Sequence, residues 1–257
     1  MLPGMDQTSH SCQEPPLPLF EIDTASPVAA PAKQPSYLID HRKRLRERFM
    51  EGGARAIPDY EMLELVLFRA IPRQDVKPLA RRLIDSFGDF GRVVSASPTR
   101  LRQVTGVGET VIQELKIIEA ASQRLARSKV MHRPVLSSWQ ALLDYCHTTL
   151  SHAETEQFRL LLLDRKNRLI ADEEQGRGTV DHVPVYPREV IKRALEANAS
   201  ALILVHNHPS GDPTPSEADI LITRQIAQAA NLFGIELHDH LILGKDHEVS
   251  LRAEGYY

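Results

Sequence analysis

The chain has 257 residues, of which 42% are hydrophobic and 25% charged, with a formal net charge of −3. That balance fits a soluble globular protein of one or two domains and excludes a fibrous or wholly disordered chain. No apolar run is long enough to span a bilayer, and no basic segment followed by an apolar core opens the sequence, so neither a membrane protein nor a secretory leader is expected.

Charge is distributed unevenly. Residues 1–40 carry −4, residues 41–129 carry +7 and residues 130–257 carry −6. The first forty residues hold seven of the seventeen prolines among Ser, Thr, Ala and Gln. Such a segment buries too little apolar surface to offset its ordering entropy, which predicts disorder over 1–40. Residues 41–129 read as a helical domain. The basic run His41–Arg48 comes first, followed by helices over Tyr60–Phe68, Val76–Phe87 (ended by Gly88), Pro98–Val104 and Glu109–Ala126. Between the last two lies Val104-Thr105-Gly106-Val107-Gly108, which resembles a helix-hairpin-helix turn. Gly106 and Gly108 there let the backbone approach a phosphate, with the amides of the next helix N-terminus as donors. In the positively charged part of the chain this predicts salt-sensitive, nonspecific DNA contact; the plainer alternative is a helical hairpin that packs on the rest of the protein.

From residue 130 onward strands alternate with helices. A helix is expected over Ser138–Leu150 and a strand over Phe158–Asp164, with Arg168–Ala171 as its hairpin partner and a further strand over Thr179–Tyr186. A helix from Pro187 to Ala197 leads into the apolar run Ala201–Val205; a helix over Ser216–Phe233 and strands near Glu236–Leu243 and Val249–Leu251 close the chain. Cys12 and Cys146 lie far apart and in no C-x-x-C pair, so no disulfide framework is expected and a reducing, cytoplasmic setting fits. Cys146 sits in a helix-like stretch as a small core residue.

The most informative stretch runs from His206 to Asp219. Strand alternation points His206 and His208 to the same side, with Cα atoms about 6–7 Å apart. Pro209, Gly211, Pro213 and Pro215 turn the chain, and Ser216 is a good N-cap for a helix whose first turn holds Asp219. Two imidazoles and one carboxylate leave a tetrahedral Zn²⁺ one open position, the arrangement of a catalytic and not a structural zinc. Asn207 faces away from the histidines and reads as structural. Asp212 reads as turn chemistry. His238 and His240 alternate on one strand face and offer a hydrogen-bond partner for a ligand histidine, although a structural role for Asp239-His240 is the simpler reading.

His206-x-His208, the seven residues Pro209–Pro215 and Ser216-x-x-Asp219 together resemble the JAMM (MPN+) metalloprotease signature. The string from His206 to Ser216 is most similar to the RadC family of bacterial JAMM-domain proteins. Segments 178–181, 186–189 and 238–244, with 41–46 and 71–75 upstream, share the likeness, which covers all but the first forty or so residues. The resemblance implies an α/β fold: a JAMM α-β-α sandwich (cytidine deaminase-like) over 130–257 behind the helical domain. It also implies a zinc-activated water, a peptide or isopeptide substrate and a glutamate as general acid–base. Glu156, just before the Phe158 strand, is the first choice; Glu154 competes from one strand period away, and Glu189 at a helix start is a third option. Ser216 would donate to the oxyanion. A DNA-repair association comes with the family by label. The competing functions are a metal-dependent nuclease and a non-enzymatic, DNA-associated adaptor. Two imidazoles argue against the Mg²⁺ of a nuclease.

Overall fold

The computed structural model describes residues 36–177 and 184–257. The expected disorder over 1–35 and the expected strand over 179–183 lie outside the described residues. Residues 184–186 lead into a helix without forming a strand.

Helices α1 (Ser36–Gly52), α2 (Asp59–Ala70), α3 (Lys77–Phe87), α4 (Phe90–Ser95), α5 (Pro98–Arg102) and α6 (Glu109–Val130) come first. α1 starts inside the segment 1–40 read as disordered: Pro35 is followed by Tyr37, Leu38 and Ile39, an apolar run continuous with the helix-forming basic stretch, and the composition of the prolines upstream concealed it. α4 was not anticipated either; Asp89 caps it by accepting from the Arg92 amide at 2.8 Å. Leu63, Leu67, Leu83, Leu101 and Leu115 form the centre of a core these helices share. α6 reaches beyond it: Val111, Ile112 and Leu115 lie in the helical core, whereas Val130 joins the core beneath the sheet. At 22 residues, or about 33 Å, this helix links the two.

The remainder is a five-stranded sheet between helices. After α7 (Trp139–Leu150) come β1 (Gln157–Leu163), β2 (Leu169–Arg177), α8 (Pro187–Glu196), β3 (Ala201–Asn207), α9 (Glu217–Leu232), β4 (Glu236–Leu243) and β5 (Glu248–Ser250). Strand order is β2-β1-β3-β4-β5; β3 and β4 are parallel and the other neighbours antiparallel. Central β3 is buried along its whole length, as its unbroken apolar run requires of a strand covered on both faces. Ala201, Ile203 and Val205 pack toward α7, and Leu202 and Leu204 toward α8 and α9. This is the expected α/β sandwich, with helices on both faces. Among the described residues no helix is long and apolar enough to cross a membrane.

One irregularity in β4 bears on the site. Leu202 pairs with Leu237, but Ile203 pairs with Asp239, so His238 is the extra residue of a β-bulge. Side-chain alternation resets there, and Leu237 and His240 come to the same face although they are three residues apart.

Leu204 is fully buried at the centre of this sheet. Leu204→Ala should cost about 2–5 kcal/mol, measured as a lowered urea midpoint with unchanged slope. A loss below about 1 kcal/mol would show that this layer is not the core.

Candidate metal centre

β3 ends in His206 and Asn207, and the Pro/Gly loop then carries the chain to the N-terminus of α9. This brings His206, His208 and Asp219 together: one ligand atom from each lies within 4.8 Å of the others. His206 Nε2 is 3.1 Å from His208 Nε2, and these nitrogens lie 3.4 and 3.6 Å from the two carboxylate oxygens of Asp219.

The proton positions follow from the partners. The hydroxyl of Thr223 donates to the Asp219 carbonyl at 2.5 Å, so its oxygen accepts from His240 Nδ1, also at 2.5 Å. Burial pushes the His240 pKa well down and keeps the ring neutral; its Nε2 is therefore an acceptor, and it receives the proton of His206 Nδ1 at 2.8 Å. His206, pushed down to about 4 by burial, is then left with a bare lone pair on Nε2. His208 Nδ1 donates to the carbonyl of Asp212 at 2.8 Å, which turns its Nε2 toward His206 and Asp219. Two imidazole nitrogens thus face each other beside a carboxylate. Burial works against charge on Asp219, but His208, His206 and Ser216 hold its pKa well below the usual carboxylate range. The same carboxylate raises the pKa of His208. The position between these groups favours positive charge, and two imidazoles with one carboxylate fit zinc.

Asp219 is built in twice. Its Oδ2 accepts from the Ser216 amide at 2.8 Å and from the Ser216 hydroxyl at 2.6 Å, while Ser216 Oγ accepts from the Asp219 amide at 3.2 Å. Capping box and candidate ligand are one structure. The loop before it is pinned at Gly211 and Gly244: a Cβ on Gly244 would strike the Gly211 carbonyl, and the Lys245 amide donates to that carbonyl at 3.3 Å. This close approach sets the Asp212 carbonyl against His208. The Asp212 carboxylate itself holds the turn, accepting from Thr214.

A cleft of about 1000 Å³ opens over this group, and Glu154, Glu156, His208, Ser216 and Asp219 all line it. β1 supplies the glutamate side. Phe158 pairs with His206 across β1 and β3, and the rings stack at 5.9 Å. Two residues before Phe158, Glu156 lines the cleft together with His208, and its charge adds to what raises the His208 pKa. Glu154 is turned to the helical part instead, accepting from the Ser97 amide at 3.4 Å and Arg100 Nη1 at 3.2 Å. Glu189 is not part of the cleft lining and pairs with Arg188 at 3.5 Å.

Two of the simpler readings need correction, and a third stands with an addition. His240 does reach the site, through His206. His238 does not share its face, because the bulge intervenes; it bonds Asn167 at 2.8 Å. Asn207 is structural, as its parity implied, but it acts on the site: Oδ1 accepts from the Gln157 amide at 3.0 Å, and Nδ2 donates to the carbonyls of Thr155 and Ala153 at 3.2 and 3.5 Å. The loop that carries Glu156 is therefore tied to the strand that carries the histidines. Thr223 was missed, although its spacing of four residues from Asp219 puts both on one helix face.

Residues 136–256 match the RadC-like JAB domain family and residues 38–112 the UPF0758 N-terminal family. A UPF0758 protein of Rhodobacter capsulatus is 75% identical over 211 residues, covering 82% of this chain and 99% of its own length. Another, of Ruegeria pomeroyi, is 72% identical over 222 residues, covering 86% and 99%.

Thr223→Val keeps the shape of the side chain but removes the acceptor that fixes the His240 tautomer. Zinc affinity, measured by competition with a chelating dye, should fall about 10–100-fold. An unchanged affinity would show that the Thr223–His240 relay does not set the lone pair of His206.

Proposed function

The chain belongs to the RadC family, whose JAB domain it carries, and from that footing we propose that it is a zinc-dependent hydrolase that cuts peptide or isopeptide bonds. One observation carries the reading: two imidazoles, held from behind by His240 and by the Asp212 carbonyl, turn their Nε2 atoms toward each other 3.1 Å apart beside a carboxylate. His206, His208 and Asp219 would hold the ion, and the open side of the group faces the cleft. Zinc bound there supplies Lewis acidity, lowering the pKa of a water and polarising a carbonyl.

The chain's own residues do the rest. Glu156, which lines the cleft with His208, takes the proton of the attacking water and returns it to the leaving amine. Glu154 is less suited, since Arg100 and Ser97 already engage it and their hydrogen bonds outweigh burial to hold its pKa below the usual value. Asn207 and the Ser97–Arg100 pair keep the glutamate loop in place from two sides. Ser216 first holds Asp219; its hydroxyl stabilises an oxyanion by turning from Oδ2 into the cleft.

The helical part has one feature that favours DNA as a second partner. The Gly106–Gly108 turn is exposed, Gly106 adopts a φ of +96°, and Gly108, the N-cap of α6, makes no side-chain hydrogen bond to the helix N-terminus, where Glu109 follows. We infer a backbone contact there that brings the hydrolase near DNA in the cytoplasm, the setting that gives the family's repair label a physical meaning.

Glu156→Gln should retain zinc yet hydrolyse a peptide and an isopeptide library at least about 100-fold more slowly than the wild type. Full activity in the variant would remove Glu156 from the mechanism, and a zinc-loaded wild type inert toward both libraries would contradict the hydrolase. Duplex DNA should bind at about 50 mM salt and be released by about 200 mM, read by fluorescence anisotropy; absence of binding at the lower salt would remove DNA as a partner.

A further inference from the structure

α9 carries two apolar stripes, where a surface helix needs one. Thr223, Ile226 and Ala230 are fully buried on the sheet side. Ala218, Leu221, Ile222 and Gln225 follow the i, i+3, i+4, i+7 spacing of a second face, and that face lines the cleft over the metal centre. Leu221 is 58% exposed there. Val185 and Tyr186, just before α8, belong to the same wall, and Tyr186 is 56% exposed. The charged side of the cleft is made by Arg100, Glu154 and Glu156.

We infer that the wall formed by Val185, Tyr186, Leu221 and Ile222 is a subsite for a bulky apolar side chain next to the bond to be cut, so that the substrate is an extended peptide segment bearing a residue such as Leu or Phe. This rests on the hydrolase reading above. Three properties of the cleft lead to it. Val185 and Ile222 back the wall by packing on the core, whereas Leu221 and Tyr186, left open beside a candidate catalytic group, gain from burial only if the ligand brings apolar surface of its own. A tail of glycines brings none. A nucleic acid would bring its phosphates toward the Glu156 carboxylate in the cleft, where like charges repel. The volume of about 1000 Å³ is at the top of the range for small-molecule sites and suits several residues of a chain more than one amino acid.

The test uses the full-length, zinc-loaded Glu156→Gln protein and two fluorescein-labelled octapeptides identical except for a central Leu or Gly, with Kd read by fluorescence polarisation. The Leu peptide should bind at least about tenfold more tightly, and adding Leu221→Asp, an exposed change checked by an unaltered melting temperature, should erase the difference. Equal binding of the two peptides, binding of neither, or a preference that survives Leu221→Asp overturns the subsite. The outcomes separate this inference from the one beneath it. Selective binding without cleavage by the wild type would sink the hydrolase and keep the subsite, whereas cleavage of both peptides at one rate, with equal binding, would do the reverse.

Discussion

A single file of hydrogen bonds ties the helix, the sheet and the site together. It runs from the Asp219 carbonyl on α9 through the hydroxyl of Thr223 to His240 on β4 and on to His206 on β3. The Thr223 hydroxyl and the two neutral imidazoles each have one proton to give, so fixing the first bond fixes the last. The carbonyl at the start can only accept, and the His206 nitrogen at the end is therefore bare. The same residue that anchors the file through its backbone, Asp219, presents its side chain to the nitrogen at the far end. An element that shifted α9 against β4 would therefore disturb the ligand geometry and the protonation state together.

The sheet explains why these residues can meet at all. β3 delivers the histidines at its carboxyl end, where a parallel neighbour and a following helix leave a crevice, the usual ligand position of an open α/β sheet. The connection through the Pro/Gly loop then returns the chain to place the first turn of α9 beside them. On the other side, the glutamate loop is held between Asn207 of the ligand strand and Ser97 and Arg100 of the helical part. The helical part thus contributes Arg100 to the wall of the cleft.

Much of this was legible in the sequence, for reasons that also explain the failures. His206, His208, Ser216 and Asp219 were readable because strand alternation and helix capping are local rules, and nothing intervenes between those residues to break them. Glu156 was the first choice over Glu154 although both share one strand parity; the sequence held no sign that Glu154 contacts Arg100, 54 residues away. The role of His240 was obscured by the same alternation rule that exposed the ligands, because a bulge at His238 changes the parity of β4 and no residue there announces it. Asn207 was assigned to the correct face, but its effect runs through the backbone of a distant loop, which composition does not reveal.

The central claim is that His206, His208 and Asp219 bind one zinc ion. Elemental mass spectrometry on the purified full-length protein, with wild type beside His208→Ala, tests it most directly. The account predicts about one zinc per chain in the wild type and little in the variant, since removing one of three ligands opens the site. A wild type without zinc after exposure to the metal, or zinc that persists in His208→Ala, would contradict it and leave a DNA-associated adaptor as the better description.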